Sequence, residues 1–195
     1  METIRFEQSQ DVLVQTAAVV AAQRQFAQRL RQRTVPDPLT GLPVRSLLID
    51  RLELALAAAG PDTGRLAVLS CNLDGITTVE DTHGRLLADA ARAEAAGRLV
   101  SVVRQGDVVA RISAQTFVLL CPGITDPTDA EGIAHRVTAA FDAPLQPTPE
   151  LSHRVRLSVG VALSGRASTP ESLIASANEA MTQIRHERQG SGRHG

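Results

Sequence analysis

The chain contains no lysine, tryptophan or tyrosine, and its only aromatic residues are Phe6, Phe26, Phe117 and Phe141. So few aromatic faces exclude a platform for stacking single-stranded bases. A formal net charge of -1 gives no electrostatic footprint for a nucleic-acid backbone, so no nucleic acid is expected as a partner. Apart from the histidines, every basic residue is arginine. Any contact to phosphate or guanine must therefore use a planar guanidinium fork, not an ammonium point charge. Cys71 and Cys121 are the only cysteines; each sits in an apolar run, and no CxxC spacing suggests zinc. They read as small buried hydrophobes. His83, His135, His153, His186 and His194 are scattered without metal-ligand spacing. No apolar run reaches membrane-spanning length and Met1-Glu2-Thr3 opens no signal peptide, so the expected setting is soluble and cytoplasmic.

The chain has 195 residues, 43% of them hydrophobic, which allows one domain of ordinary size plus an appendage. The segment from about Ile4 to Arg33 lacks Gly and Pro and predicts one long helix. Val12, Val19 and Phe26 recur every seven residues, interleaved with Thr16, Gln23 and Leu30. That seam suits either a weak dimerising coiled coil or a helix packed on its own domain. Residues 1–35 are thus read as an N-terminal helix, with a homodimer expected through it, 36–188 as the main domain and 189–195 as a flexible tail.

Pro36 and Pro38 break the first helix. A second is predicted from about Val44 to Ala59, with Leu47, Leu48, Leu52, Leu54 and Leu56 as its buried side. Gly60 to Gly64 reads as a turn and Leu66 to Leu73 as a central strand. A helix over Leu86–Val103 precedes a hairpin made of Val108–Ile112 and Phe117–Leu120. Thr128-Asp129-Ala130-Glu131 reads as a capping box opening a helix to about Phe141. Pro144, Pro147 and Pro149 mark a loop, and Val155 to Val161 alternates as a half-buried strand. Thr169-Pro170 starts a last helix that runs to about Arg188. This order predicts an α/β (α+β) sandwich with a central, mainly antiparallel sheet flanked by helices.

Six stretches, in order, resemble GGDEF domains, the family of diguanylate cyclases. Asp37-Pro38-Leu39-Thr40-Gly41-Leu42-Pro43 resembles "D-x-L-T-G-L-P", and Asn72-Leu73-Asp74-Gly75 resembles "D-L-D-x". Glu80-Asp81-Thr82-His83-Gly84 through Asp89 is similar to "N-D-x-x-G-H-x-x-G-D". Ser113-Ala114-Gln115-Thr116-Phe117 stands in place of "G-G-D-E-F"; Ser158-Val159-Gly160-Val161-Ala162 and Ala177-Asn178-Glu179-Ala180-Met181 match "S-I-G-V-A" and "A-D-x-A-M". The resemblance covers about Asp37 to Arg188 and implies a palm-like nucleotide-cyclase fold. It also implies a GTP site in which Mg²⁺ assists attack of a 3′-hydroxyl on an α-phosphate, giving cyclic di-GMP.

Read through that resemblance, the GTP site is vestigial. The two metal-binding carboxylates are replaced by Asn72 and Gln115, and the next acidic position by Thr116. A neutral amide is a poor ligand for a hard cation, so Mg²⁺ binding is expected to be lost, with no other cofactor. Metal stabilisation is worth several kcal/mol, so activity is expected to fall by orders of magnitude. Ser113 and Ala114 replace the signature glycines, and a Cβ there hinders close phosphate approach. Glu80 replaces the guanine-contacting Asn, Asp89 keeps the second guanine contact, Arg185 stands for a phosphate-binding Lys and Thr77 for another Lys. Asp74 and Asp81 survive, and GTP binding through Asp89 and Arg185 is not expected. The chain is therefore expected not to be an enzyme.

Arg104-Gln105-Gly106-Asp107 matches the "R-x-x-D" of the family's inhibitory site, which implies binding of cyclic di-GMP. Arg presents paired donors to guanine O6 and N7 or to phosphate, while Asp accepts from guanine N–H groups. The same tetrapeptide also suits a solvated ion pair. Arg136 is the candidate second arginine. The leading expectation is a non-catalytic receptor for cyclic di-GMP. The alternative is a protein-binding module or regulatory subunit without nucleotide, and an active cyclase ranks last.

Overall fold

The computed structural model describes residues 35–59 and 65–191, with side chains to residue 188. The helix read over Ile4–Arg33, the turn Gly60–Gly64 and residues 192–195 lie outside the described residues. Helix α1 (Arg45–Ala58) is followed by β1 (Arg65–Asp74), α2 (Ile76–His83) and α3 (Arg85–Val102). Strands β2 (Val108–Arg111) and β3 (Thr116–Ile124), helix α4 (Pro127–Ala139), β4 (Leu145–Thr148), β5 (Leu151–His153), β6 (Arg156–Leu163) and α5 (Pro170–Ser191) complete it.

The main sheet has the order β2-β3-β1-β6, and all of its pairings are antiparallel. β1 lies at its centre because it is apolar on both faces and buried almost throughout. Ala67, Leu69, Cys71 and Leu73 point into a core with α2, α3 and α4, among them Ile76, Val79, Leu99 and Val137. Leu66 and Val68 point the other way, into a core with Leu48 and Leu52 of α1 and Leu173, Ile174 and Ala177 of α5. The strand period of two thus distributes one sequence between two cores.

Gly160 of β6 sits opposite Ser70. A Cβ built on it would lie 2.0 Å from the Met181 nitrogen and 2.3 Å from the Ala177 carbonyl oxygen. Only a glycine lets α5 lie so close to the sheet. The start of the domain is pinned by Asp37, whose carboxylate accepts from Thr40 N at 2.9 Å, from Thr40 Oγ1 at 2.7 Å and from Arg111 Nη1 at 2.9 Å. Arg111 N in turn donates to Pro43 O at 2.9 Å, and Gly41 turns the chain at φ +69°. This accounts physically for the Asp37-to-Pro43 motif.

Several elements differ from the sequence expectation. Leu54 is 69% exposed, not buried, because it lies six residues past Leu48 and therefore off that face of a helix with 3.6 residues per turn. Helix α2 was not predicted; glycines with positive φ, Gly75 and Gly84, bound it at each end. The capping box is not Thr128 with Glu131 but Asp126 with Asp129, because Pro127, lacking an N–H, takes the first helical turn. Asp126 Oδ1 accepts from Thr128 N at 2.8 Å, and Asp129 Oδ2 accepts from Asp126 N at 3.0 Å. The proline-marked loop contains the two-stranded β4–β5 hairpin, and α5 runs on to Ser191, into the segment read as tail. The start of α5 agrees: Thr169 Oγ1 accepts from Ser172 N at 3.2 Å.

Candidate functional site

Ser113 to Gln115 form the tip of the β2–β3 hairpin. Ile112 N and Ser113 N both donate to Thr116 O, at 3.0 and 3.3 Å. Ser113 Oγ accepts from Gln115 N at 3.3 Å and Thr116 N at 3.1 Å. Among the described residues only glycines have positive φ, so this tip closes without a left-handed residue. The serine hydroxyl takes the two N–H groups that a bare turn would offer to an anion.

The neighbouring end of β1 meets this tip. Asn72 is paired with Thr116 across the sheet, and Leu73 N donates to Gln115 O at 2.9 Å. Asn72, only 5% exposed, donates from Nδ2 to Asp74 Oδ1 at 2.8 Å. Ser158 Oγ donates to Asp74 Oδ2 at 2.5 Å, so both oxygens of that carboxylate are engaged. Gln115 Nε2 donates to Thr77 Oγ1 at 3.3 Å. The structure therefore brings Asn72, Asp74, Gln115, Thr116 and Thr77 together. The donor set does not suit Mg²⁺: it offers a single carboxylate, with each oxygen already accepting one hydrogen bond, and the other side chains are neutral. No group of three or more metal-ligating His, Cys, Asp or Glu side chains occurs among the described residues. Arg185 lies on α5, makes no hydrogen bond to this cluster, and has a buried Nε without an acceptor.

Glu80 of α2 and Asp89 of α3 also converge, but on a residue the sequence reading did not single out. Arg92 Nη1 donates to Asp89 Oδ1 at 2.8 Å, and its Nη2 donates to Glu80 Oε2. Arg92 is 4% exposed. Burial works against its charge, but the bonds to Glu80 and Asp89 outweigh burial and hold its pKa above the ordinary arginine value. A signal was present: Arg92 falls on the buried alanine stripe of α3 with Ala88, Ala91, Ala95 and Ala96. A charge on such a stripe requires partners.

Arg104 and Asp107 close the turn between α3 and β2, with Gly106 at φ +98°. Asp107 Oδ2 accepts from Arg104 N at 3.1 Å and Oδ1 from Arg104 Nε at 3.2 Å. The Asp107 side chain is 1% exposed and that of Arg104 55% exposed. Asp107 thus backs the arginine instead of facing a ligand alongside it, which differs from the expected paired contact. Arg104 Nη2 also donates to Pro122 O. Arg104 and Arg136 line one cavity of about 460 Å³ with Gly123, Thr125 and Gly132. The second arginine expected from the sequence is therefore placed beside the first. Burial, and then the Asp107 carboxylate, push the Cys121 thiol up to about 12, while burial also raises Cys71, so neither thiol is reactive near neutrality.

An antiparallel sheet flanked by helices, with these turns at the ends of its strands, is the architecture of the nucleotide-cyclase-like class. The family model described as "Diguanylate cyclase, GGDEF domain" matches residues 34–191, and the chain belongs to the GGDEF family. It is 36% identical over 169 residues to the bifunctional diguanylate cyclase/cyclic di-GMP phosphodiesterase MucR of Pseudomonas aeruginosa, covering 85% of this chain and 24% of that protein. It is 31% identical over 158 residues to the diguanylate cyclase TpbB of the same organism, covering 80% of this chain and 36% of that one. The solved GGDEF domain of TpbB superimposes with a TM-score of 0.74 at 30% identity, covering 78% of this chain and 89% of that domain. A sensory box/GGDEF family protein from Caulobacter crescentus also gives 0.74, at 31% identity over 79% of this chain and 99% of that one. The chain thus spans about a quarter to a third of the curated relatives' length. Among the described residues no helix is long and apolar enough to cross a membrane.

Proposed function

We propose that this GGDEF domain does not catalyse and instead reads cyclic di-GMP at the Arg104–Arg136 cavity. The observation that carries the reading is the pair of arginines lining one cavity, with the buried Asp107 carboxylate bonded to the first of them. A guanidinium fork matches guanine O6 and N7 and also matches phosphate oxygens, and cyclic di-GMP offers both. Because Asp107 is spent on Arg104, the contacts to the base come from the arginines. MucR and TpbB bear names from cyclic di-GMP metabolism, which makes the dinucleotide the natural ligand to test.

Loss of catalysis rests on the chemistry of the hairpin tip. Asn72 and Gln115 supply no anionic oxygen, Asp74 is held by Asn72 and Ser158, and Ser113 Oγ occupies the N–H groups of the turn. A cytoplasmic setting and a homodimer formed through residues 1–35 belong to the same proposal. Light scattering on the full chain and on a chain starting at Thr34 tests the dimer.

The direct test is calorimetric titration with cyclic di-GMP, paired with a turnover assay on GTP and Mg²⁺. Saturable micromolar binding without product supports a receptor. Robust product formation contradicts it, and absence of binding leaves a protein-interaction module as the function.

A further inference from the structure

Glu80 and Asp89 belong to different helices, yet both reach the same guanidinium. Their own side chains remain 37% and 28% exposed, so the two carboxylates sit at the surface of the domain. The Arg92 side chain, 5% exposed, comes up between them from the core side of α3. Arg85 adds a looser contact, with Nε 3.6 Å from Asp89 Oδ2.

The donor pattern is informative. A guanidinium edge presents two adjacent, nearly parallel N–H donors, and so does the N1–H and N2–H edge of guanine. Two acceptors that suit one therefore suit the other. We propose that Arg92 is a built-in occupant of the guanine-recognition subsite. Its fork fills the acceptors of Glu80 and Asp89 that a purine would otherwise need. This rests on the family reading above, in which Glu80 and Asp89 stand at the guanine-contacting positions.

An incoming base would have to break two charge-assisted bonds and leave a buried cation without partners, a far larger penalty than displacing water. Arg92 also carries a sign of imperfect fit: its Nε is buried with no acceptor. A shorter apolar side chain at this position would remove that unsatisfied donor and continue the stripe of Ala88, Ala95 and Leu99. The subsite is thus closed by a residue of the chain itself, independently of the missing metal ligands.

The test is calorimetric titration with guanosine diphosphate, without metal, using ATP as the control. All proteins carry Arg104→Ala, so that guanine recognition at the other cavity does not contribute. The parent is expected to give no saturable heat. Arg92→Leu combined with Glu80→Asn is expected to bind the guanine nucleotide at least about tenfold more tightly than the parent, and in preference to ATP. The inference is overturned if the parent already binds as well as the variant, or if the folded variant gains nothing. Should that variant fail to fold, the ¹⁵N resonances of the wild-type Arg92 guanidinium decide the matter. Unmoved by guanosine diphosphate, they support the clamp; displaced by it, they overturn it. None of these outcomes bears on cyclic di-GMP binding at Arg104, which stands or falls on its own titration.

Discussion

The Asp107 carboxylate is buried beneath an exposed Arg104 and takes both the main-chain N–H and the Nε–H of that residue. The two residues therefore have separable tasks. Arg104→Ala removes the exposed guanidinium but leaves the main-chain bond to Asp107, so it should cost about 1 kcal/mol of stability or less. Asp107→Ala removes the acceptor of both bonds and should cost roughly 1–3 kcal/mol while weakening ligand binding indirectly. Urea unfolding of the two variants checks the order, and equal losses would contradict this division.

Asp37 carries a pH dependence of definite sign. Burial alone would raise its pKa, but the hydrogen bonds from Thr40 and Arg111 outweigh burial and hold it below the ordinary carboxylate value. The stability this contributes is full above the unfolded pKa of about 3.9 and is lost as pH falls through the lower folded value. Asp37→Asn should therefore be less stable than wild type at neutral pH, with the gap closing as the pH falls through that acid window. Thermal melts at pH 7 and under acid conditions measure the gap, and a constant difference would refute the assignment.

Two glycine substitutions should move stability in opposite directions. Gly160→Ala drives a Cβ into the α5 backbone, 2.0 Å from Met181 N, and should cost about 3 kcal/mol or prevent folding. Gly97→Ala, on the exposed side of α3 with nothing within 4 Å, should stabilise by about 0.5–1 kcal/mol. Melting temperatures of the two variants read this directly; a tolerated Gly160→Ala would mean that α5 does not lie so close to β6.

On the proposed reading, carboxylates placed at residues 72 and 115 should not by themselves give cyclase activity. Asn72→Asp with Gln115→Glu supplies two anionic oxygens but leaves Ser113 Oγ on the turn N–H groups and Arg92 between Glu80 and Asp89. No cyclic di-GMP should form from GTP in an assay that detects a single turnover. Appreciable product would mean that metal ligation alone separates this chain from an active cyclase.

Much of the sheet was legible in the sequence because β1 is largely apolar and β6 alternates, and those patterns report burial directly. The six ordered motifs identified the family. Helix α2 escaped because only Ile76 and Val79 of its residues are buried and its boundaries are set by Gly75 and Gly84, which also read as loop. The capping box slipped because Thr128–Glu131 and Asp126–Asp129 both satisfy the pattern, and only the missing N–H of Pro127 separates them. At the site, Arg104 and Arg136 were both named through the family resemblance, and they line one cavity. The Arg92 clamp and the burial of Asp107 were not, since each depends on which side of a helix or turn faces the core.

The measurement that bears most directly on the central claim is calorimetric titration of cyclic di-GMP into the wild type, Arg104→Ala and Arg136→Ala, with folding confirmed for each. Saturable binding by the wild type, abolished by Arg104→Ala and weakened about tenfold or more by Arg136→Ala, is the predicted result. Binding that survives Arg104→Ala unchanged, or a wild type that gives no heat, would contradict it.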